Sequence, residues 1–334
     1  MRKALLVGIN AYSQNLLQGC VNDVKNLEVL LASHGDSAAS TNFDCKQIIA
    51  DTPSDEPITR ERLQSELKSL FEDEADTSLF YFSGHGFRSE HGGDLVTQDF
   101  GEGGMGVPME EVLRLANEAL LTRRAKEVIL ILDCCYSGNL GSVEKLQANS
   151  ALLVEGLSIL AAARSYAPSF EVGQSRGGIF TNLLCSALEG GAANVLGIIT
   201  LGSVYSFVES QLGAWDQRPL FKCHVASSSV LRRVPPSIDL AILKKVCKYF
   251  ASPDFVYPLD PTYEKDKRHA PEDQLEVNTE HEEIMAHFRK YAAKGLLVPE
   301  PKQEYLYWAA VRSESCKLTA SGKYIWELVN RKRI

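Results

Sequence analysis

The chain has 334 residues, 45% of them hydrophobic and 23% charged, with a net charge of −8. That mix excludes a disordered, collagenous or coiled-coil chain, and the length suits two domains or one large domain with an appendage. No run of about 18 apolar residues is present to span a membrane. MRKALLVGIN enters a strand-like run with no signal-peptide cleavage site, so the expected compartment is the cytoplasm, with no membrane partner. The eight cysteines are scattered and form no CxxC pair, so reduced thiols are expected rather than disulfides or zinc.

Ala4–Ile9 is a short apolar run, as in a strand buried on both faces. Residues 22–34 place Val24, Leu27, Leu30 and Leu31 at helical spacing. Gln47–Ala50 is a second strand. Thr59 caps a helix over residues 60–71, whose Leu63, Leu67 and Leu70 share a face. Ser78–Phe82 is a third strand. Pro108 opens a helix carrying Val112, Leu115 and Leu120. Residues 127–132 and 157–162 form the fourth and fifth strands, followed by helices over 178–188 and 201–212 and a last strand over 219–225. Alternating apolar strands and amphipathic helices predict an α/β fold with a mostly parallel central sheet.

Composition changes near Val234-Pro235-Pro236, which sets a boundary at 235 and leaves 236–334 as an accessory domain. Residues 252–275, rich in proline and charge, are expected to be a linker. The remainder, 276–334, is expected to form a helix over 280–294, an apolar strand-like exit over 296–298, a strand over 305–311 and a helix over 319–330. That succession resembles a winged-helix module. The first block holds 19 basic and 28 acidic residues, and the second 16 and 15. An acidic first block and a neutral second block argue against nucleic acid as a partner.

In parallel sheets chemistry gathers at the carboxyl ends of the strands. The third strand runs into Ser83-Gly84-His85-Gly86 and the fourth into Asp133-Cys134-Cys135-Tyr136-Ser137-Gly138. A thiol within reach of an imidazole is an activated nucleophile, because the ring takes up its proton. Either Cys134 or Cys135 could serve. Successive strand residues point to opposite faces, so only one of them faces the site. Glycines beside the histidine let a substrate approach the backbone closely. Two other signals are weak: Gly101–Gly106 fits GxGxxG without a dinucleotide-binding context, and His281 and His287 miss the HExxH spacing and are expected on a helix surface.

YFSGHG followed by DCCYSG, with the histidine fifty residues upstream of Cys135, resembles the caspase-like cysteine peptidases and in particular the metacaspases and their bacterial relatives. Gly19-Cys20-Val21-Asn22-Asp23 is similar to the GCxND stretch of that family. The resemblance covers residues 1 to about 230 and implies a caspase-like three-layer sandwich. It assigns Cys135 as nucleophile and His85 as general base, with the amides of Gly86 and Cys135 as the oxyanion hole. It pairs Asp23 with Asp133 in a substrate pocket. Two carboxylates in one pocket favour Arg or Lys before the scissile bond, because a cation relieves their repulsion. For Asp23 alone, a helix N-terminal acid interacting with the dipole is the competing reading.

The family's inter-subunit loop falls on residues 139–150, which makes Lys145 a candidate for self-cleavage, with Arg123-Arg124 as a second dibasic stretch. Many metacaspases require calcium. Asp94, Asp99 and Glu102 do not match that pattern, so neither a metal nor another cofactor is expected. The resemblance implies limited proteolysis of a protein substrate in signalling, defence or cell death, with a regulatory partner engaged by the C-terminal module. The alternatives are a catalytically silent scaffold and a DNA-binding regulator acting through that module.

Overall fold

Apolar runs that lack a polar face must be covered on both sides, and four such strands form the centre of a six-stranded sheet in the first two-thirds of the chain, with a partly exposed strand at each edge. The structure, a computed structural model, describes residues 1–36, 40–89, 92–101, 106–134, 154–162, 178–212, 218–266, 278–301 and 305–334. They form two units: Met1–Ala193 with Gly197–Pro235, and Asn194–Leu196 with Pro236–Ile334.

The first unit runs in the order β1 (Arg2–Ile9), α1 (Cys20–Ala32), β2 (Asp44–Ala50), α2 (Arg60–Glu72), β3 (Ala75–Ser83), β4 (Gly86–Ser89), β5 (Gly92–Leu95), β6 (Val107–Pro108), α3 (Met109–Leu121), β7 (Ala125–Asp133), β8 (Leu157–Ala161), α4 (Ile179–Ser186), β9 (Ile198–Thr200), α5 (Leu201–Gln211), β10 (Leu220–His224) and β11 (Val230–Arg233). The central sheet has the order β10-β8-β7-β3-β1-β2. Its pairs are parallel except the edge pair of β10 with β8.

Strand alternation divides the core in two. Leu5, Val7, Phe80, Phe82, Leu130 and Leu132 pack with α2 and α3. Leu6, Leu79, Tyr81, Ile129 and Ile131 pack with α1, α4 and α5 on the other face. The result is a three-layer α/β/α sandwich. Thr59 caps α2 by accepting a hydrogen bond from the Arg62 amide. Two small antiparallel sheets, β4-β5-β6 and β9-β11, were not expected from the sequence. Their strands of two to four residues are too short to show a period.

The second unit comprises α6 (Leu240–Lys244), α7 (Val246–Tyr249), β12 (Val256–Pro258), α8 (Thr279–Ala293), β13 (Leu297–Glu300), α9 (Leu306–Val311), β14 (Ser315–Leu318) and α10 (Ala320–Asn330). Its core includes Leu243, Phe250, Tyr263, Met285, Phe288, Tyr291 and Cys316.

Three expectations are corrected here. The stretch 252–275, expected as a linker, contains β12, which pairs with β14, and buries Leu259, Pro261 and Tyr263. Residues 305–311, expected as a strand, form α9, because Leu306, Ala309 and Ala310 are buried at helical spacing. A helix therefore separates β13 from β14, which pair antiparallel, and no hairpin wing joins them. That order departs from the winged-helix expectation. Among the described residues, no helix is long and apolar enough to cross a membrane.

Candidate active site

β3 and β7 are neighbours in register, with Ser83 opposite Asp133, so their carboxyl ends share one edge of the sheet. The Gly84 amide donates to the Asp133 carbonyl at 3.3 Å. A Cβ at Gly84 would lie 2.4 Å from the Tyr12 hydroxyl, so only glycine fits between β3 and His85. The Tyr12 hydroxyl accepts from the His85 amide at 2.9 Å and donates to the Val96 carbonyl at 3.2 Å. The two rings lie 4.6 Å apart at 50°. Burial pushes the Tyr12 phenol well above its ordinary value, so it remains a neutral donor.

The His85 ring is half-buried. Its Nε2 lies 2.6 Å from the Asn15 carbonyl oxygen. A carbonyl can only accept, so Nε2 carries the hydrogen and Nδ1 of the neutral ring is the basic nitrogen. Asn15 has φ +56°, a left-handed conformation that asparagine tolerates better than most residues. Asn15 and Tyr12 escape sequence reasoning. Their contacts with His85 cross some seventy residues of chain, and only the turn-prone SQN stretch marks the position.

Asp23 and Asp133 are both buried, at 2% and 8% exposure, and both border Gly178. The Gly178 amide lies 3.3 Å from each Asp23 oxygen, and the Ser83 hydroxyl donates to Asp23 at 3.1 Å. A Cβ at Gly178 would sit 2.7 Å from Asp133 Oδ2. The Thr181 hydroxyl donates to that same oxygen at 2.7 Å. Asp23 lies in the first turn of α1, yet these partners belong to β3 and to the entrance of α4, so its carboxylate is turned toward Asp133. Gly178 and Thr181 are further residues that the sequence analysis did not single out. GIFT reads there only as the start of a helix.

Cys134 is 3% exposed and packs into the α2/α3 core, which removes it as a nucleophile exposed to substrate. Cys135 and Lys145 lie outside the described residues. Gly86 is half-buried and opens β4, opposite Leu95. Asp99 accepts from the Arg60 amide at 3.0 Å and from the Thr97 hydroxyl at 2.7 Å, so it satisfies the first amide of α2 beside the Thr59 cap. Arg123, at φ +58°, and Arg124 are tied into the turn after α3, their amides donating hydrogen bonds to the carbonyls of Leu120 and Ala119.

His281 and His287, expected on a surface, are half-buried and buried respectively. His281 stacks on Tyr263 with centroids 4.0 Å apart, and His287 bonds Tyr249.

A family model described as "Caspase domain" matches residues 1–230. Metacaspase III c of Phaeodactylum tricornutum is 30% identical over 151 residues, which is 41% of this chain and 43% of that protein. Metacaspase-1 of Mycosarcoma maydis is 25% identical over 212 residues, 58% of this chain and 51% of that protein. The chain thus spans about half the length of these relatives. Among solved structures, caspase-1 from Spodoptera frugiperda superposes with a TM-score of 0.49 at 13% identity, covering 70% of this chain and 91% of that one. With the family model spanning well over half of its length, and with the metacaspases among its relatives, the chain belongs to the caspase-domain family of caspase-like and metacaspase-like proteins.

Proposed function

We propose that this protein is a cysteine endopeptidase that cleaves after arginine or lysine, with Cys135 as nucleophile and His85 as general base. The observation that carries this reading is the His85 ring, pinned at Nε2 by the Asn15 carbonyl so that Nδ1 is the basic nitrogen. Nδ1 takes the thiol proton, and the thiolate sulfur attacks the scissile carbonyl carbon. The oxyanion is received by the amides of Gly86 and Cys135. Collapse of the tetrahedral intermediate expels the amine, which takes the proton from His85 and leaves a thioester. Water then attacks the thioester with His85 again as base. This releases the acid and restores the thiol.

The preference for a basic residue rests on Asp23 and Asp133. Burying two carboxylates side by side is costly without a compensating cation. A guanidinium offers paired donors to such oxygens, and an ammonium offers a point charge. Membership of the caspase-domain family supports the chemistry, and the burial of Cys134 supports the choice between adjacent thiols. The natural partner is a protein substrate with Arg or Lys before the scissile bond.

A panel of fluorogenic peptides ending in Arg, Lys or Asp tests this. Arg and Lys peptides should turn over and Asp peptides should not. Cys135→Ala should abolish turnover, and Cys134→Ala should keep it within about threefold while lowering thermal stability by about 1 kcal/mol for the vacated core volume. Turnover that survives Cys135→Ala, or a preference for Asp, refutes the assignment.

A further inference from the structure

Thr181 lies far from every motif of the sequence, and it is 1% exposed in the first turn of α4. Its hydroxyl has two partners: Asp133 Oδ2 at 2.7 Å and the Tyr81 hydroxyl, also at 2.7 Å. An ionised carboxylate can only accept, so the single Thr181 proton goes to Asp133. The Tyr81 hydroxyl must then donate to Thr181. Tyr81 is itself fully buried on β3. Burial above all, with Asp23 and Asp133 adding to it, holds its phenol well above the ordinary value, so it stays a donor at any working pH. The direction of the chain is fixed: Tyr81 to Thr181 to Asp133.

We infer that Thr181, backed by Tyr81, is a positioning residue that fixes the plane of the Asp133 carboxylate and so sets the preference for arginine over lysine. This role rests on the reading of Asp23 and Asp133 as the pair that receives the basic side chain. Three features favour it. The β-branched side chain has few rotamers, and α4 restricts them further. A donor that itself accepts a hydrogen bond is polarised toward its acceptor. And Gly178, three residues earlier, leaves no room for a Cβ beside Oδ2, so α4 closes against that oxygen from both positions.

A carboxylate locked in one plane meets the flat donor fork of a guanidinium in register. An ammonium has no plane to match and gains little from the lock. Loosening Asp133 therefore weakens arginine recognition more than lysine recognition. Serine at position 181 keeps the donor, and valine keeps the shape without it.

The experiment measures kcat and KM on a matched pair of peptides ending in Arg and Lys, using the full chain, with thermal melting as the check on folding. In Thr181→Val, KM for the arginine peptide should rise about tenfold, the scale of one hydrogen bond to a charged group. Its kcat should change by less than about threefold, and the Arg:Lys ratio of kcat/KM should fall about fivefold. Thr181→Ser should restore the ratio to within about twofold. Tyr81→Phe, which leaves Thr181 in place, should shift the ratio the same way by about twofold, and it serves if the valine variant does not fold. A folded Thr181→Val or Tyr81→Phe protein with the parental ratio overturns the role of Thr181 and leaves the peptidase reading standing. A parent that cleaves after neither Arg nor Lys overturns the recognition pair, and the positioning role with it.

Discussion

Each unit of the molecule holds a histidine paired with a tyrosine, and the two pairs are built in opposite ways. In the first unit the Tyr12 hydroxyl takes the backbone amide of His85 and leaves the ring alone; the Asn15 carbonyl holds Nε2. In the second unit the Tyr249 hydroxyl bonds Nδ1 of His287 itself at 2.7 Å, and Glu283 stands 4.0 Å from its Nε2. The His287 ring is 7% exposed, while His85 is half-buried. Chemistry needs a ring fixed in direction with one nitrogen left for the substrate. In His287 the nitrogen that would act as the base, Nδ1, is already taken by the Tyr249 hydroxyl. The partner of each nitrogen separates the two roles, although both rings sit beside a tyrosine.

The strongest test of this contrast removes each imidazole in turn. His85→Ala should cost peptide turnover by about 10²–10⁴, the usual contribution of a positioned general base. His287→Gln should leave kcat and KM within about twofold and lower the melting temperature instead. Turnover that falls as far in His287→Gln as in His85→Ala would erase the distinction.

The contrast was half legible in the sequence. Short apolar runs such as ALLVGI and EVILIL, alternating along the chain with amphipathic helices, read as strands buried on both faces and place the central sheet. SGHG and DCCYSG located one edge of it. His287 reads as exposed because its charged neighbours in HEEIMAH dominate a local reading. The helical period carries a better signal: Ile284, Phe288 and Tyr291 are buried, and position 287 falls between them on the inner side of α8. The Asp133 support was not legible. Tyr81 reads as one more aromatic in SLFYF and Thr181 as one more polar residue in a helix start. Only the sheet register, which sets Tyr81 and Asp133 on neighbouring strands, together with the packing of α4 on that face, which brings Thr181 to them across a hundred residues, reveals the hydrogen-bonded chain.

A smaller effect is expected from Tyr12→Phe, which keeps the ring beside His85 and removes the hydroxyl. The His85 amide and the Val96 carbonyl then lose that partner in a buried place, at a stability cost of about 1–3 kcal/mol. If Tyr12 positions the catalytic loop, kcat should fall about tenfold with KM changed by less than about threefold, because a misplaced base acts on the chemical step. Unchanged kcat in a destabilised but folded variant would make Tyr12 a packing residue only, as Tyr249 is expected to be for turnover.

The smallest expected effect concerns pH and belongs to the second unit. Burial first, then Lys245, pushes the His287 imidazole below its ordinary value, with Glu283 opposing and Lys290 adding slightly. The geometry gives the same sign. Burial pushes the Tyr249 phenol up to about 12, so it is the donor and Nδ1 the acceptor; a proton on Nδ1 would set two donors against each other. The folded state thus binds this proton less readily than the unfolded chain, whose histidine titrates near 6.5. Stability from the neutral ring is complete above that value and is lost as pH falls through the lower, folded value. Two tryptophans of the second unit, Trp308 and Trp326, report its unfolding. Their melting midpoint should drop by about 2–4 °C more between pH 7 and pH 5 in the parent protein than in His287→Gln. The two should run parallel through the same range if His287 is no more than a space-filling ring.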